Sequence, residues 1–161
     1  MDATWGSGTV DKKGNIFTKK YNDNYFVVNP RQHILNHLPV KSDKQYLDTL
    51  VDKTTFFNYP QVYDDFFEMG IYALTPASAQ LEITRGKKKN FSFKLLDSLI
   101  VDNVEIYDRK SRNKENIPFL QTDNLISFSC DFKKLKKQLI DIYVNNRLVA
   151  TYRVIEKRDD K

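Results

Sequence analysis

Cysteine is almost missing from this sequence: Cys130 is the only one in 161 residues. A single thiol excludes an intrachain disulfide framework and a cysteine-rich zinc site. Histidine is nearly as scarce, with only His33 and His37. Glycine and proline number five each, too few for a collagen-like or low-complexity chain. No apolar run approaches the roughly 18 residues that a membrane helix needs. No basic-then-apolar segment opens the chain, so neither membrane insertion nor a signal peptide is expected in it. The compartment stays open, because a lone Cys can sit buried in either redox environment.

What is present suits one domain of ordinary size, or one small domain with an appended piece. Hydrophobic residues make up 40% and aromatics 13%, enough for a core, and 29% charged residues with few Gly and Pro argue against disorder. The net charge is +5, from 26 Lys and Arg against 21 Asp and Glu. The basic clusters are Lys87-Lys88-Lys89, Arg109 to Lys114, and Lys133-Lys134 with Lys136-Lys137. Each lies between apolar stretches, where turns belong, so they read as solvated turns and no nucleic-acid partner is expected.

Three zones and a tail follow. Residues 1–29 are rich in Gly, Asn, Lys and aromatics. Val10 to Phe17 reads as a hairpin around Lys13-Gly14-Asn15, and Tyr25-Phe26-Val27-Val28 as a short strand. Residues 30–76 read as helical with irregular joins. Asn29-Pro30 is a helix start, with Asn as cap and Pro at the first position, and Ile34, Leu35 and Leu38 form the apolar face. A second helix starts after Asp52 with Phe56 and Phe57 inward. A third carries Phe66 and Phe67 and closes at Gly70. Residues 77–157 change period from 3.6 to 2. Leu81 and Ile83, Phe91 to Leu95, Val104 and Ile106, and Ile126, Phe128, Cys130 and Phe132 each fill one face of a strand. Asn145-Asn146-Arg147 marks a hairpin, since Asn tolerates positive φ. Six or seven strands at intervals of roughly 8–12 residues predict a β-sandwich. Residues 158–161 are a tail. The expected fold class is α+β, with the end of one domain and a short helical connector leading into an antiparallel sandwich.

The opening Asp2-Ala3-Thr4-Trp5-Gly6 has no folding rationale of its own, but it resembles a known signature. In transglutaminase-like domains of the papain-type superfamily, a catalytic Asp is followed by Ala or Val and then Thr-Trp-Gly. The similarity continues through Tyr25-Phe26, through Asn29-Pro30 with Ile34, His37 and Pro39, through Gln45-Tyr46-Leu47, through Phe56-Phe57-Asn58-Tyr59-Pro60, and through Phe66-Phe67-Glu68-Met69-Gly70. In order and spacing these resemble the kyphoscoliosis-peptidase-like branch. They cover about residues 2 to 72. Lys44 stands where the branch usually has Trp or Tyr, and Leu50 where Pro is common.

The resemblance implies a cysteine hydrolase or acyl-transferase as the parent protein. Its chemistry needs a Cys nucleophile, a His base and an Asp that orients the His, in that chain order. Asp2 matches the Asp, so the chain is expected to lack the first two and to be non-catalytic by itself. Trp5 would be a wall of the active-site cleft. The bland alternatives are a solvated acid for Asp2 and a core side chain for Trp5.

Cys130 does not replace the nucleophile on this reading, because an apolar strand between Phe128 and Phe132 disfavours thiolate. His33 and His37, four apart, read as packing or capping residues. No metal and no cofactor are expected. The expected partner is a protein substrate or a partner protein, bound by the sandwich, with a homodimer through exposed N-terminal strands as a further option. A stand-alone interaction module or a pseudoenzyme scaffold is the alternative.

Overall fold

A computed structural model describes residues 8–10, 16–19, 29–84, 87–97, 99–132 and 138–157. Asp2, Trp5 and the strand expected over 25–28 lie outside the described residues. The N-terminal hairpin is present as β1 (Gly8–Val10) paired antiparallel with β2 (Phe17–Lys19), with Val10 opposite Phe17.

Three short α-helices follow, with a 3-10 turn over Ser42–Lys44 between the first two. α1 (Pro30–His33) is capped as its sequence demands: Asn29 accepts from the Arg31 N–H at 2.9 Å and Pro30 takes the first position. Asp52 caps α2 (Lys53–Phe57) by accepting from the Thr55 N–H at 2.7 Å, and these Thr55 bonds hold its carboxyl below the usual range. α3 (Asp64–Glu68) opens on two acids that suit its N-terminal dipole. It closes at Gly70, whose φ of 69° is the left-handed conformation glycine adopts without cost.

The inward placement expected for the Phe56-Phe57 pair is corrected. Phe56 is half-buried, and Phe57 is 78% exposed. Neighbours on a helix point about 100° apart, so a helix covered on one side shelters only one of them. The pair Phe66-Phe67 is buried throughout, because α3 packs against both β4 and β12.

The rest is a two-layer β-sandwich. β4 (Ile71–Thr75), β6 (Lys88–Leu95), β10 (Leu125–Asp131) and β9 (Phe119–Thr122) form one sheet in the order β4-β6-β10-β9. The second sheet runs β3 (Gln61–Val62), β12 (Arg147–Glu156), β11 (Gln138–Val144), β7 (Val104–Asp108) and β8 (Asn113–Asn116), and β5 (Gln80–Ile83) also pairs with β12. All pairings are antiparallel except β5 with β12. Lettered A, A′, B, C, C′, D, E, F and G in chain order from β4, the sheets read A-B-E-D and A′-G-F-C-C′. That is the strand order of immunoglobulin-like sandwiches. The chain passes from one sheet to the other at Thr75–Pro76, a cis peptide bond.

The alternating pattern places the core as the sequence implied. Phe91, Phe93 and Leu95 from β6 meet Phe128, Cys130 and the neighbouring Phe132 from the β10 segment, and Ile140, Ile142, Tyr152 and Val154 face them from the other layer. Phe91 and Phe128 stack at 5.1 Å, and Tyr152 meets Phe91 edge-on at 5.6 Å. Asn145 and Asn146, with φ of 49° and 63°, make the β11–β12 turn. The Asn145 side chain also holds the loop before β7: its Oδ1 accepts from the Asp102 N–H at 2.8 Å and its Nδ2 donates to the Ile100 carbonyl at 2.9 Å.

Candidate functional site: the docked connector and its groove

Segment 30–76 also supplies strands. β3 pairs with β12, setting Val62 opposite Ala150 and Gln61 opposite Thr151, and β4 is a full member of the first sheet. The connector therefore runs along the β12 and β4 edges of the sandwich, and its Tyr63 side chain reaches over the outward face of the second sheet. Thr151 and Asp141 point outward there, since Ile140, Ile142 and Tyr152 point in. Both are nevertheless buried, Asp141 to 4% exposure.

A closed polar network explains how that burial is tolerated. Arg109 Nε donates to Asp141 Oδ2 at 2.7 Å, and Thr151 Oγ1 donates to Asp141 Oδ1 at 2.6 Å. The Thr151 proton is thus committed, so the Tyr63 hydroxyl donates to Thr151 Oγ1 at 2.9 Å. Arg109 Nη2 reaches the Tyr63 hydroxyl and Thr151 Oγ1, each at 3.3 Å. The Asp141 carboxylate holds the Arg109 guanidinium even more firmly protonated than usual. At the far end of β12, Arg147 Nε donates to Asp65 at 2.8 Å, and Arg147 also pairs with Glu68. Tyr63 and α3 are thereby fastened to the sheet by two independent ionic sites.

The stretch of the connector over 36–57 is different. Gln45 is buried and closes the loop over 45–51 with two 2.8 Å bonds to the Val51 backbone. Around it lies a groove of about 540 Å³ between Leu38, Pro39 and Val40 on one wall and Val51, Phe56 and Phe57 on the other. Val40, Tyr46, Leu50 and Phe57 are exposed large apolar side chains in this stretch. Val40 and Phe57 both line the groove, and exposed apolar side chains gathered at a concave site mark an interaction surface more often than scattered ones do.

The remaining residues singled out in the sequence fall elsewhere. Cys130 is buried at 7% exposure, and burial pushes its thiol up to about 12, so it holds little thiolate at neutral pH. His33 and His37 stack on each other at 5.0 Å. Among the described residues no group of three or more His, Cys, Asp or Glu could hold a metal ion. Of the basic clusters, Lys114 pairs with Glu105 at 2.5 Å and lies over the Tyr143 ring. Sequence reasoning missed the Tyr63–Arg109–Asp141–Thr151 network. Its one visible signal was Asp141 interrupting the apolar run of β11.

No protein-family profile matches the chain. Kyphoscoliosis peptidases of Mus musculus and Homo sapiens are each 31% identical to it over 87 residues, which is 54% of this chain and 13% of theirs. The chain thus spans a small part of the curated relatives it matches. Among solved structures, a titin I27 domain mutant aligns at a TM-score of 0.35 and 9% identity, over 52% of this chain and 87% of that one. The Lin-41 filamin domain aligns at 0.35 and 9%, over 51% and 89%. Strand order, rather than these alignments, identifies the sandwich. The chain is a β-sandwich module with partial sequence similarity to kyphoscoliosis peptidase.

Proposed function

We propose that this chain is a non-catalytic, protein-binding part of a transglutaminase-like protein. The observation that carries the reading is the docked connector: Gln32, Tyr63 and Asp65 bond it to the sandwich, and it exposes Val40, Tyr46, Leu50 and Phe57 to solvent. An apolar surface held on a rigid support loses little entropy on binding. The buried, high-pKa thiol of Cys130 agrees with a chain that does no nucleophilic chemistry of its own.

Asp2 and Trp5 enter this proposal through the resemblance alone. In a polypeptide that also supplies the family Cys and His, Asp2 orients the imidazole and Trp5 lines the cleft. There, Asp2→Asn lowers acyl-transfer activity by roughly 10²–10⁴-fold. An unchanged rate removes Asp2 from the mechanism.

The binding claim is tested with a photo-crosslinking amino acid at position 57 of the whole chain. The reading expects a discrete protein adduct that Val40→Glu abolishes. Crosslinking no greater than from a probe at exposed Lys87 contradicts it.

A further inference from the structure

The two sheets end at β4 and β9, at β8, and at the β3 and β5 side of β12, and three of these four edges are short, occupied or charged. The β4 edge receives the buried Gln32 side chain, whose Nε2 donates to the Ile71 carbonyl at 2.8 Å. β8 is Asn113-Lys114-Glu115-Asn116, exposed along its length. β5 carries exposed Glu82, and the N–H of Ala79 just before it donates to the Asn58 carbonyl at 2.6 Å. Charge and cover are the usual ways of stopping an edge from pairing with another chain.

β9 differs. Phe119-Leu120-Gln121-Thr122 contains no charged residue, and among the described residues it pairs only with β10. Leu120 is 67% exposed, while Phe119 is partly buried against the core. The strand is also held in place. Gln121 Oε1 accepts from the Val101 N–H at 3.2 Å, and its Nε2 donates to the Leu99 carbonyl at 2.5 Å.

Beside β9 the outward face of the first sheet is hollow. Thr75, Ser92, Ser127 and Leu120 stand in one row across β4, β6, β10 and β9. The three small hydroxyl residues leave a depression of about 670 Å³, which Pro118, Phe119 and Leu120 line near β9 and which Lys88, Asn90 and Ser129 also line.

We propose that β9 is a strand-addition site: an extended, uncharged segment of a partner protein pairs with its free edge and sets alternate apolar side chains beside Leu120 at the rim of the hollow. Main-chain hydrogen bonds supply the affinity, and the hollow selects the side chains. A second copy of this chain fits less well. β9 offers four residues, about 14 Å of strand, too little to build the roughly 1,200 Å² of a stable two-fold interface. The net charge of +5 on each copy adds repulsion. The proposal deepens the protein-binding reading but uses a surface separate from the connector groove.

The test is amide hydrogen exchange of the whole chain, read by NMR. The probe is a short capped peptide of alternating Thr and Val, with its backbone-N-methylated analogue as control. The peptide is expected to slow exchange across residues 119–122, and the analogue to have no effect. Leu120→Lys, and independently Thr122→Lys, weaken the peptide by about tenfold or more, while Phe57→Glu leaves it unchanged. No slowing at millimolar peptide, equal slowing by the analogue, or slowing at β8 instead overturns the proposal. Loss of peptide binding in Phe57→Glu moves the peptide to the groove and overturns the β9 site while leaving the protein-binding reading intact. Slow exchange at β9 that rises with protein concentration and needs no peptide assigns the edge to a second copy and overturns the partner.

Discussion

The outward faces of the two sheets are built in opposite ways. On the second sheet, outward Asp141 and Thr151 are buried under the connector's Tyr63 and under Arg109. On the first sheet, among the described residues, nothing covers the half-buried Ser92 and Ser127 or pairs with the outer edge of β9. The same alternation of side chains produced both faces. What differs is whether the outward residues can bond to something above them. A long, directional group such as the Asp141 carboxylate recruits a cover. A row of small hydroxyls leaves a space.

The contrast breaks most severely at Phe66. It is fully buried although it belongs to the connector. If connector and sandwich are one unit, Phe66→Ala costs the whole domain about 4 kcal/mol, seen as a single shifted transition in chemical denaturation. An unshifted sandwich transition makes the connector a separable appendage. Next comes Asp141→Ala, which strands Arg109 and Thr151 under the cover and costs about 3 kcal/mol. Asp141→Leu with Arg109→Met recovers much of that loss, because an apolar pair needs no partner.

The sequence made one half of this contrast legible. The inner face was readable wherever apolar residues alternate, as in Phe91, Phe93 and Leu95 or Ile126, Phe128 and Cys130. Asn29, Asp52, Gly70 and Asn145 announced their caps and turns because each has one chemical job. The polar edge β8 was invisible, since Asn-Lys-Glu-Asn has no apolar period at all. β4 was absorbed into the 30–76 zone because Ile71-Tyr72-Ala73-Leu74 lacks a strict apolar–polar alternation. The covering network could not be read, because its four members lie as far apart as Tyr63 and Thr151 and meet only through sheet pairing. β9 was passed over between the break that ends at Pro118 and the strand read from Ile126, because four residues with one exposed Leu show too little alternation.

Cys130 sharpens the comparison from the inner side of the first sheet. Its thiol is pushed up to about 12 by burial, so the fold favours the neutral form. Its share of stability is intact below the ordinary thiol range near 8.5 and is lost as pH rises toward about 12. Cys130→Ala is expected to flatten the alkaline slope of stability, measured by denaturant midpoints between pH 8 and 10. A slope unchanged by the substitution places the thiol in water. The smallest effect belongs to the bare face. Leu120→Lys changes stability by no more than about 0.5 kcal/mol, and a larger loss shows that β9 is covered within the folded chain.

The most direct measurement is native-state amide exchange of the whole chain as a function of denaturant. The amides of Phe66, Met69 and Gly70, which bond within the α3 turn, are expected to open with the same free energy and denaturant slope as the β11–β12 ladder. Opening of α3 at low denaturant while β11 and β12 stay protected contradicts the account of a connector built into the sandwich.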